Sequence, residues 1–156
     1  MIWFRDAEPR DCALLGNLTA ACFDPRYGEG WSGDQIVSTL QGPGAWGELA
    51  FLGDKAAGFS LLRRAADEVE LLLIGVRPSM RQLGVGRMLV RRAGDWAFAN
   101  KARLIHLEVR ENNERASRLY DYFGFAPVGR RSGYYSGAMG ERFDAITLSC
   151  PLPFSD

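Results

Sequence analysis

The sequence predicts an α/β (α+β) mixed-sheet fold of about seven strands and about four helices, and three observations carry the prediction. Apolar segments with period-two or continuous patterning alternate with segments of helical period along the chain. Their order is a strand, two helices, a strand meander, then strand–helix–strand–helix and two final strands. The buried-looking runs Val69–Val76 and Leu104–Val109 bracket one amphipathic helix, a crossover that sets two strands side by side in parallel.

Ile2–Arg5 reads as the opening strand. Pro9 and Asp11 introduce a helix with Leu14, Leu15, Leu18, Ala21 and Cys22 at helical spacing. Asp24–Gly30 is a loop by its turn residues, and Ser32 is the N-cap of a second helix reaching about Leu40 before Gly42-Pro43-Gly44. Glu48–Leu52 and Ala56–Arg63 form a hairpin around Gly53-Asp54-Lys55. Val69–Val76 is apolar almost throughout, as in a strand covered on both faces, and Arg77-Pro78 ends it. Gly84–Asn100 puts Val85, Met88, Leu89, Ala93, Trp96 and Ala97 on one helix face. Leu104–Val109 is a strand, and Asn113–Tyr122 a helix that ends at Gly124. Phe125–Arg130 and Asp144–Leu148 read as the last strands, separated by a loop containing Tyr134-Tyr135.

A chain of 156 residues fits one domain, expected to span 1–156. It can bury roughly 70% of its unfolded surface without disulfide or metal staples. Lys+Arg and Asp+Glu each number 19, and this balance argues against nonspecific nucleic-acid binding. Cys12, Cys22 and Cys150 form no CxxC pair and meet no histidine cluster, so no disulfide framework and no metal site is expected. The N-terminus reaches charge at Arg5 without a signal-type apolar run, and no stretch is long enough to span a bilayer. A cytoplasmic location, away from membranes, is the expectation.

Gly84 and Gly86 open the third helix. The first turn of a helix leaves backbone N–H groups without partners, and the dipole adds positive character there. An anion satisfies both if no side chain blocks its approach, and glycine leaves the way open. Arg81 and Arg87 flank the segment. A P-loop requires Gly-Lys-Ser/Thr after a longer spacing, which this chain lacks. A dinucleotide fingerprint requires a third glycine where Leu89 stands, and Arg77–Leu83 intervene before its first glycine. Glu108, about 20 residues on, sits where a ribose-binding acid would, but the missing glycine and the single crossover outweigh it.

The run Ile74-Gly75-Val76-Arg77-Pro78 followed by Arg81-x-x-Gly84-x-Gly86-Arg87 resembles the acetyl-CoA motif of the GNAT family of N-acetyltransferases. The resemblance continues through Leu107-Glu108-Val109-Arg110-x-x-Asn113, Leu119-Tyr120-x-x-x-Gly124-Phe125 and Tyr134-Tyr135. This combination is similar to the RimI branch, the N-terminal acetyltransferases of ribosomal proteins. The likeness implies a GNAT fold, its sheet splayed between the fourth and fifth strands with acetyl-CoA in the gap. It implies that Ile74, Gly75 and Val76 offer backbone groups to the acetyl and pantetheine arm. Arg81, Gln82, Leu83, Gly84, Val85, Gly86 and Arg87 would surround the pyrophosphate, and Asn113 would contact the cofactor.

Acetyl transfer to an amine needs a base, an oxyanion donor and a proton for the departing thiolate. Glu108 is the candidate base, at the carboxyl end of an apolar strand, with His106 on the same face as its rival. Tyr120 is the candidate acid; it shares a helix face with the small Ala116, and a phenol stays protonated at neutral pH. A backbone N–H near Val76 is the candidate oxyanion donor. Trp31, Tyr134 and Tyr135 are candidates for a peptide-binding groove, with ordinary packing as the alternative. Ser136 replaces a proline common after the tyrosine pair in RimI-like sequences, a departure that bears on peptide specificity.

The function expected is transfer of an acetyl group from acetyl-CoA, without a metal, to a protein N-terminus, that of a ribosomal protein. The chain would act as a monomer or weak homodimer without contacting nucleic acid directly. Acetylation of a small amine, antibiotic or lysine side chain is the same-class alternative. A non-catalytic acyl-CoA-binding module is the alternative of another class, and it would need neither Glu108 nor Tyr120.

Overall fold

A computed structural model describes residues 1–155. The strands are β1 (Ile2–Asp6), β2 (Ala45–Leu52), β3 (Lys55–Ala65), β4 (Glu68–Val76), β5 (Leu104–Arg110), β6 (Ala126–Ser136) and β7 (Arg142–Pro151). They form one seven-stranded sheet in the order β1-β2-β3-β4-β5-β7-β6. The α-helices are α1 (Cys12–Cys22), α2 (Gly33–Leu40), α3 (Val85–Ala99) and α4 (Glu114–Phe123). The expected parallel pair is β4 with β5, joined through α3; every other pairing is antiparallel.

Local chemistry fixes the helix ends. Ser32 and Gln35 form a reciprocal capping box at the start of α2. The Asn113 side chain accepts from Ala116 N at the start of α4, and Gly124 ends that helix with a left-handed φ of 91°. The helices cover the sheet on both sides. Leu15 and Leu18 of α1 and Ile36 of α2 pack on Leu49, Phe59, Leu61 and Leu73. Val90, Ala93 and Ala97 of α3, with Tyr120 and Phe123 of α4, pack on Leu62, Leu71, Ile105 and Leu107.

Leu71 and Leu73 share a face by simple alternation, yet they belong to opposite cores. The cause is a bulge in β4. Leu61 pairs with Leu73 and Leu62 with Leu71, which leaves Leu72 as an extra residue that flips the alternation and bends the strand. Pairing of β4 to β5 stops at the same place, at Glu70 and His106.

One sequence expectation is corrected. Tyr134 and Tyr135 lie within β6, not in a loop between the last two strands. The positive φ of Gly133, 59°, belongs to an irregularity inside the strand, where Gly133 N donates to Asp144 Oδ1 at 2.8 Å. Pairing resumes at Tyr135–Phe143 and Ser136–Arg142, so the reversal comes only after Ser136.

Candidate active site

β4 and β5 are paired at Glu68–Leu104, Val69–Ile105 and Glu70–His106 and part beyond them. The edge of β4 from Leu71 to Val76 therefore faces a gap on one side, while β3 pairs with it on the other. Ile74 and Val76 are half-buried on this stretch. Gly75 serves a different contact: a Cβ there would stand 2.9 Å from Cys22 Cβ, so the missing side chain lets α1 approach the strand. This close packing buries the Cys22 thiol and pushes its pKa up to about 11.

At the end of β4 the chain makes a 3-10 turn, Pro78–Met80, and enters α3 through Gln82 (φ 66°) and Gly84 (φ 87°). Met88 N donates to Gly84 O at 3.0 Å, the first helical bond of α3. Among the described residues, no acceptor is present for the amides of Val85, Gly86 and Arg87. A Cβ on Gly84 would meet nothing within 4 Å, and one on Gly86 only Leu119 Cδ2 at 3.5 Å and Val76 Cγ2 at 3.9 Å. Orphan amides, the positive end of the helix dipole and an unobstructed approach suit a diphosphate group. The Arg81 side chain does not point into this opening. Its guanidinium turns inward, donating to Val76 O at 3.1 Å and Cys22 O at 3.4 Å, and so ties the strand end to α1. Burial, with the Arg115 charge nearby, lowers its pKa. Leu83 is exposed, and the Arg87 guanidinium lies 4.0 Å over the Tyr122 ring.

Glu108 stands on β5 beyond the last β4–β5 pair. Thr147 Oγ1, on the opposing residue of β7, donates to its Oε2 at 2.8 Å, and Arg131 Nε of β6 lies 2.9 Å from its Oε1. Tyr120 of α4 is buried, with its ring 5.5 Å from that of Phe125. Burial is the main cause that raises the Tyr120 phenol pKa, and the charge of Glu29 adds to it. Tyr135 is raised by burial and then by the charges of Glu29 and Glu108. Glu108, Tyr120, Tyr135 and Glu29 thus share one corner of the molecule. Asn113 closes it as the cap of α4, its own amide donating to Arg110 O at 2.9 Å.

Glu29 and Arg110 received no role from the sequence. Arg110 is the last residue of β5, is buried, and donates through Nε to Glu29 Oε1 at 2.8 Å. Its guanidinium also lies 3.7 Å over the Tyr27 ring and donates to Asn112. Loop 24–30 is strapped onto the reversal after β6 by Arg26 Nε to Glu141 Oε1 at 2.9 Å and by Ala138 N to Pro25 O at 3.0 Å. Gly28, with φ 67°, passes against the Ser136 carbonyl so closely that a Cβ would collide with it. No local spacing signals a pair that comes from a loop and a strand end 81 residues apart.

Of the remaining candidates, Tyr134 borders this corner, while His106 and Trp31 make their contacts elsewhere. His106 sits where β4 and β5 are still paired, 3.9 Å from Glu68 Oε1. Trp31 packs against the core under α1 and α2 and lines a shallow groove along α2 with Asp34, Gln35, Ser38 and Thr39. Tyr134 is exposed, edge-on to Tyr135 at 5.0 Å. Among the described residues, no cluster of His, Cys, Asp or Glu could hold a metal ion, and no helix is long and apolar enough to cross a membrane.

Comparison with known proteins gives this geometry a family. The model of the Acetyltransferase (GNAT) family matches residues 13–125. The [ribosomal protein bS18]-alanine N-acetyltransferase of Salmonella typhimurium is 31% identical over 121 residues, covering 69% of this chain and 81% of that protein. The N-alpha-acetyltransferase RimI of Mycobacterium tuberculosis is 42% identical over 95 residues, covering 59% of this chain and 55% of the relative. Streptothricin acetyltransferase of Streptomyces lavendulae is 34% identical over 128 residues, covering 80% and 64%. The crystal structure of the ribosomal-protein-S18-alanine N-acetyltransferase from Escherichia coli superposes with a TM-score of 0.86 at 26% identity, over 100% of this chain and 97% of that one. Arabidopsis thaliana NAA60, solved in complex with acetyl-CoA, shares the fold at a TM-score of 0.84 and 20% identity, over 97% and 99% of the two chains. Seven strands splayed after Glu70 and His106, a glycine-opened helix beside the gap and matches of this extent have one conclusion: the chain belongs to the GNAT family and is an N-acetyltransferase with RimI-type relatives.

Proposed function

We propose that this chain, as one domain spanning 1–156, transfers the acetyl group of acetyl-CoA to the α-amine of a protein N-terminus, that of a ribosomal protein in the cytoplasm. One observation carries the reading: the gap beside β4 runs from the open start of α3 toward the corner that holds Glu108 and Tyr120. The amides of Val85, Gly86 and Arg87 would hold the pyrophosphate, and the free edge of β4 at Ile74 and Val76 would hold the pantetheine arm. When bound, acetyl-CoA supplies an activated acyl group on a thiol that can leave.

The chain's own residues then manage two protons. Glu108 accepts one from the attacking amine. Arg131, whose side chain is 61% exposed, can swing toward solvent and free an oxygen for it, while Thr147 keeps its hold on the other oxygen. Tyr120 gives the other proton to the departing sulfur. Burial weakens the phenol as an acid, but the same desolvation strengthens a thiolate beside it as a base, so the two shift together. An α-amine near pKa 8 is easier to neutralise than a lysine near 10.4 by about 3 kcal/mol, which favours N-termini. The bS18-alanine acetyltransferases among the relatives support a ribosomal acceptor. A second reading, acetylation of a small-molecule amine, draws on the streptothricin acetyltransferase likeness.

The test is acetylation of a peptide copying a ribosomal N-terminus, set against the same peptide with its α-amine blocked and against an amine antibiotic. Acetylation confined to the free peptide is expected. Equal modification of a lysine in the blocked peptide sinks the N-terminal reading, and exclusive modification of the antibiotic replaces it with the second.

A further inference from the structure

We propose that Glu29 is a specificity-determining residue that receives the acceptor's cationic amine and turns away acceptors with an acidic first residue. The inference deepens the N-terminal acetylation reading and rests on it.

Glu29 belongs to a loop that is fixed, not free. The Arg26–Glu141 ion pair, the Ala138–Pro25 hydrogen bond and the passage of Gly28 against Ser136 press the loop onto the end of β6. Ser136 follows Tyr135 directly, so the residue after Gly28 is delivered beside the tyrosine that shares a corner with Glu108 and Tyr120. From the other side, Arg110 at the end of β5 holds Glu29 through one oxygen, Oε1. The Glu29 side chain is 16% exposed, and that of Arg110 10%.

The division of partners between the two carboxylates is unequal. Glu108 has Arg131 at one oxygen and Thr147 at the other. Glu29 Oε2 accepts no hydrogen bond from the described residues. An oriented, mostly desolvated carboxylate with an open lone pair is built to accept a charge-assisted hydrogen bond from an ammonium. The formal charges in the corner balance: Glu29 and Glu108 against Arg110 and Arg131, with Tyr120 and Tyr135 held as neutral phenols. An arriving ammonium is drawn to the open carboxylate oxygen. An acidic side chain on the same acceptor residue is brought against a like charge and repelled.

The experiment compares two peptides that differ only in Ala or Glu as first residue, with the unmodified chain and with Glu29→Gln. The unmodified chain should prefer the Ala peptide by about tenfold or more in kcat/KM. Glu29→Gln should raise KM for the Ala peptide about tenfold, change kcat far less, and narrow the Ala-over-Glu preference. Glu29→Asp, which keeps the charge, should restore the preference. Acetyl-CoA affinity, read by calorimetry, should stay the same in both variants, because neither touches the start of α3.

If the unmodified chain acetylates both peptides equally well, the inference is overturned without recourse to any variant. It is also overturned if Glu29→Gln keeps the full preference, or loses kcat while KM stands. Failure to acetylate either peptide overturns the N-terminal reading along with it.

Discussion

Arg131 Nε lies 2.9 Å from Glu108 Oε1, and the two residues reach each other from β6 and β5 across the intervening β7. Thr147 of β7 holds the other oxygen, so the carboxylate is aimed by a hydroxyl within the sheet and guarded by a solvent-exposed cation. Glu108→Gln keeps the shape and the Thr147 contact but removes the carboxylate proposed as base. Turnover should fall on the order of 10²-fold or more, with acetyl-CoA affinity nearly intact. Steady-state kinetics beside calorimetry check this, and unchanged turnover removes Glu108 from the role.

Tyr120→Phe should lower turnover by a similar factor, about 10²-fold, and should also leave a mark on stability. Burial raises the phenols of Tyr120 and Tyr135 above their ordinary value near 10, and it holds the Cys22 thiol at about 11. Each group keeps its proton longer in the folded chain than in the unfolded one. Their stabilising contribution is complete below the ordinary pKa values and is lost as pH rises from about 9 upward. Chemical denaturation at a series of alkaline pH values should show this decline. The decline should be shallower in the Tyr120→Phe, Tyr135→Phe double variant, and an identical slope counts against the buried, neutral phenols.

Gly86→Val should weaken acetyl-CoA binding while leaving the fold intact. The first side-chain atom at this position meets only ordinary contacts, Leu119 Cδ2 at 3.5 Å and Val76 Cγ2 at 3.9 Å, so the protein tolerates it. A branched side chain there stands over the amides of the first turn of α3 and blocks an anion. Calorimetric titration paired with a melting curve checks both halves of the claim. Undiminished affinity refutes the cradle.

Arg92 of α3 binds Glu48 of β2 through two hydrogen bonds of 2.7 Å, and the exposures of the partners are unequal: 45% for the Arg92 side chain and 2% for that of Glu48. Arg92→Met strands a buried carboxylate and should cost about 3–5 kcal/mol. Glu48→Met leaves a guanidinium that can turn to solvent and should cost clearly less, and the double variant should recover most of the Arg92→Met loss. Urea melts of the three variants decide it; equal single losses contradict the asymmetry.

Periodicity revealed the helices, and the two apolar runs around α3 revealed the parallel pair, because both depend on neighbours in sequence. The Ser32 cap and the Gly84–Gly86 helix start were legible for the same reason. Glu108 and Tyr120 could be singled out, but their meeting with Tyr135 depends on strand order. The bulge at Leu72 left no trace, since any leucine in Leu71-Leu72-Leu73 can be the extra residue. Glu29 lay in a loop whose turn residues single out no one side chain, and Arg110 entered only as part of the motif after Glu108, with nothing to pair the two. Arg81 reads as part of the pyrophosphate loop, and the inward turn of its guanidinium left no trace because spacing says nothing of which way a long side chain folds.

The parting of β4 from β5 also has a mechanical meaning. Ladder bonding across that seam is limited to the positions of Glu68, Val69 and Glu70, so the sheet resembles two plates hinged along a short weld, with α3 riding over the join. A molecule that lies in the gap and bonds to both plates acts as a rivet. Amide exchange along the Leu71–Val76 edge should slow when acetyl-CoA binds, more than it does in β2 or β3, which are paired on both sides.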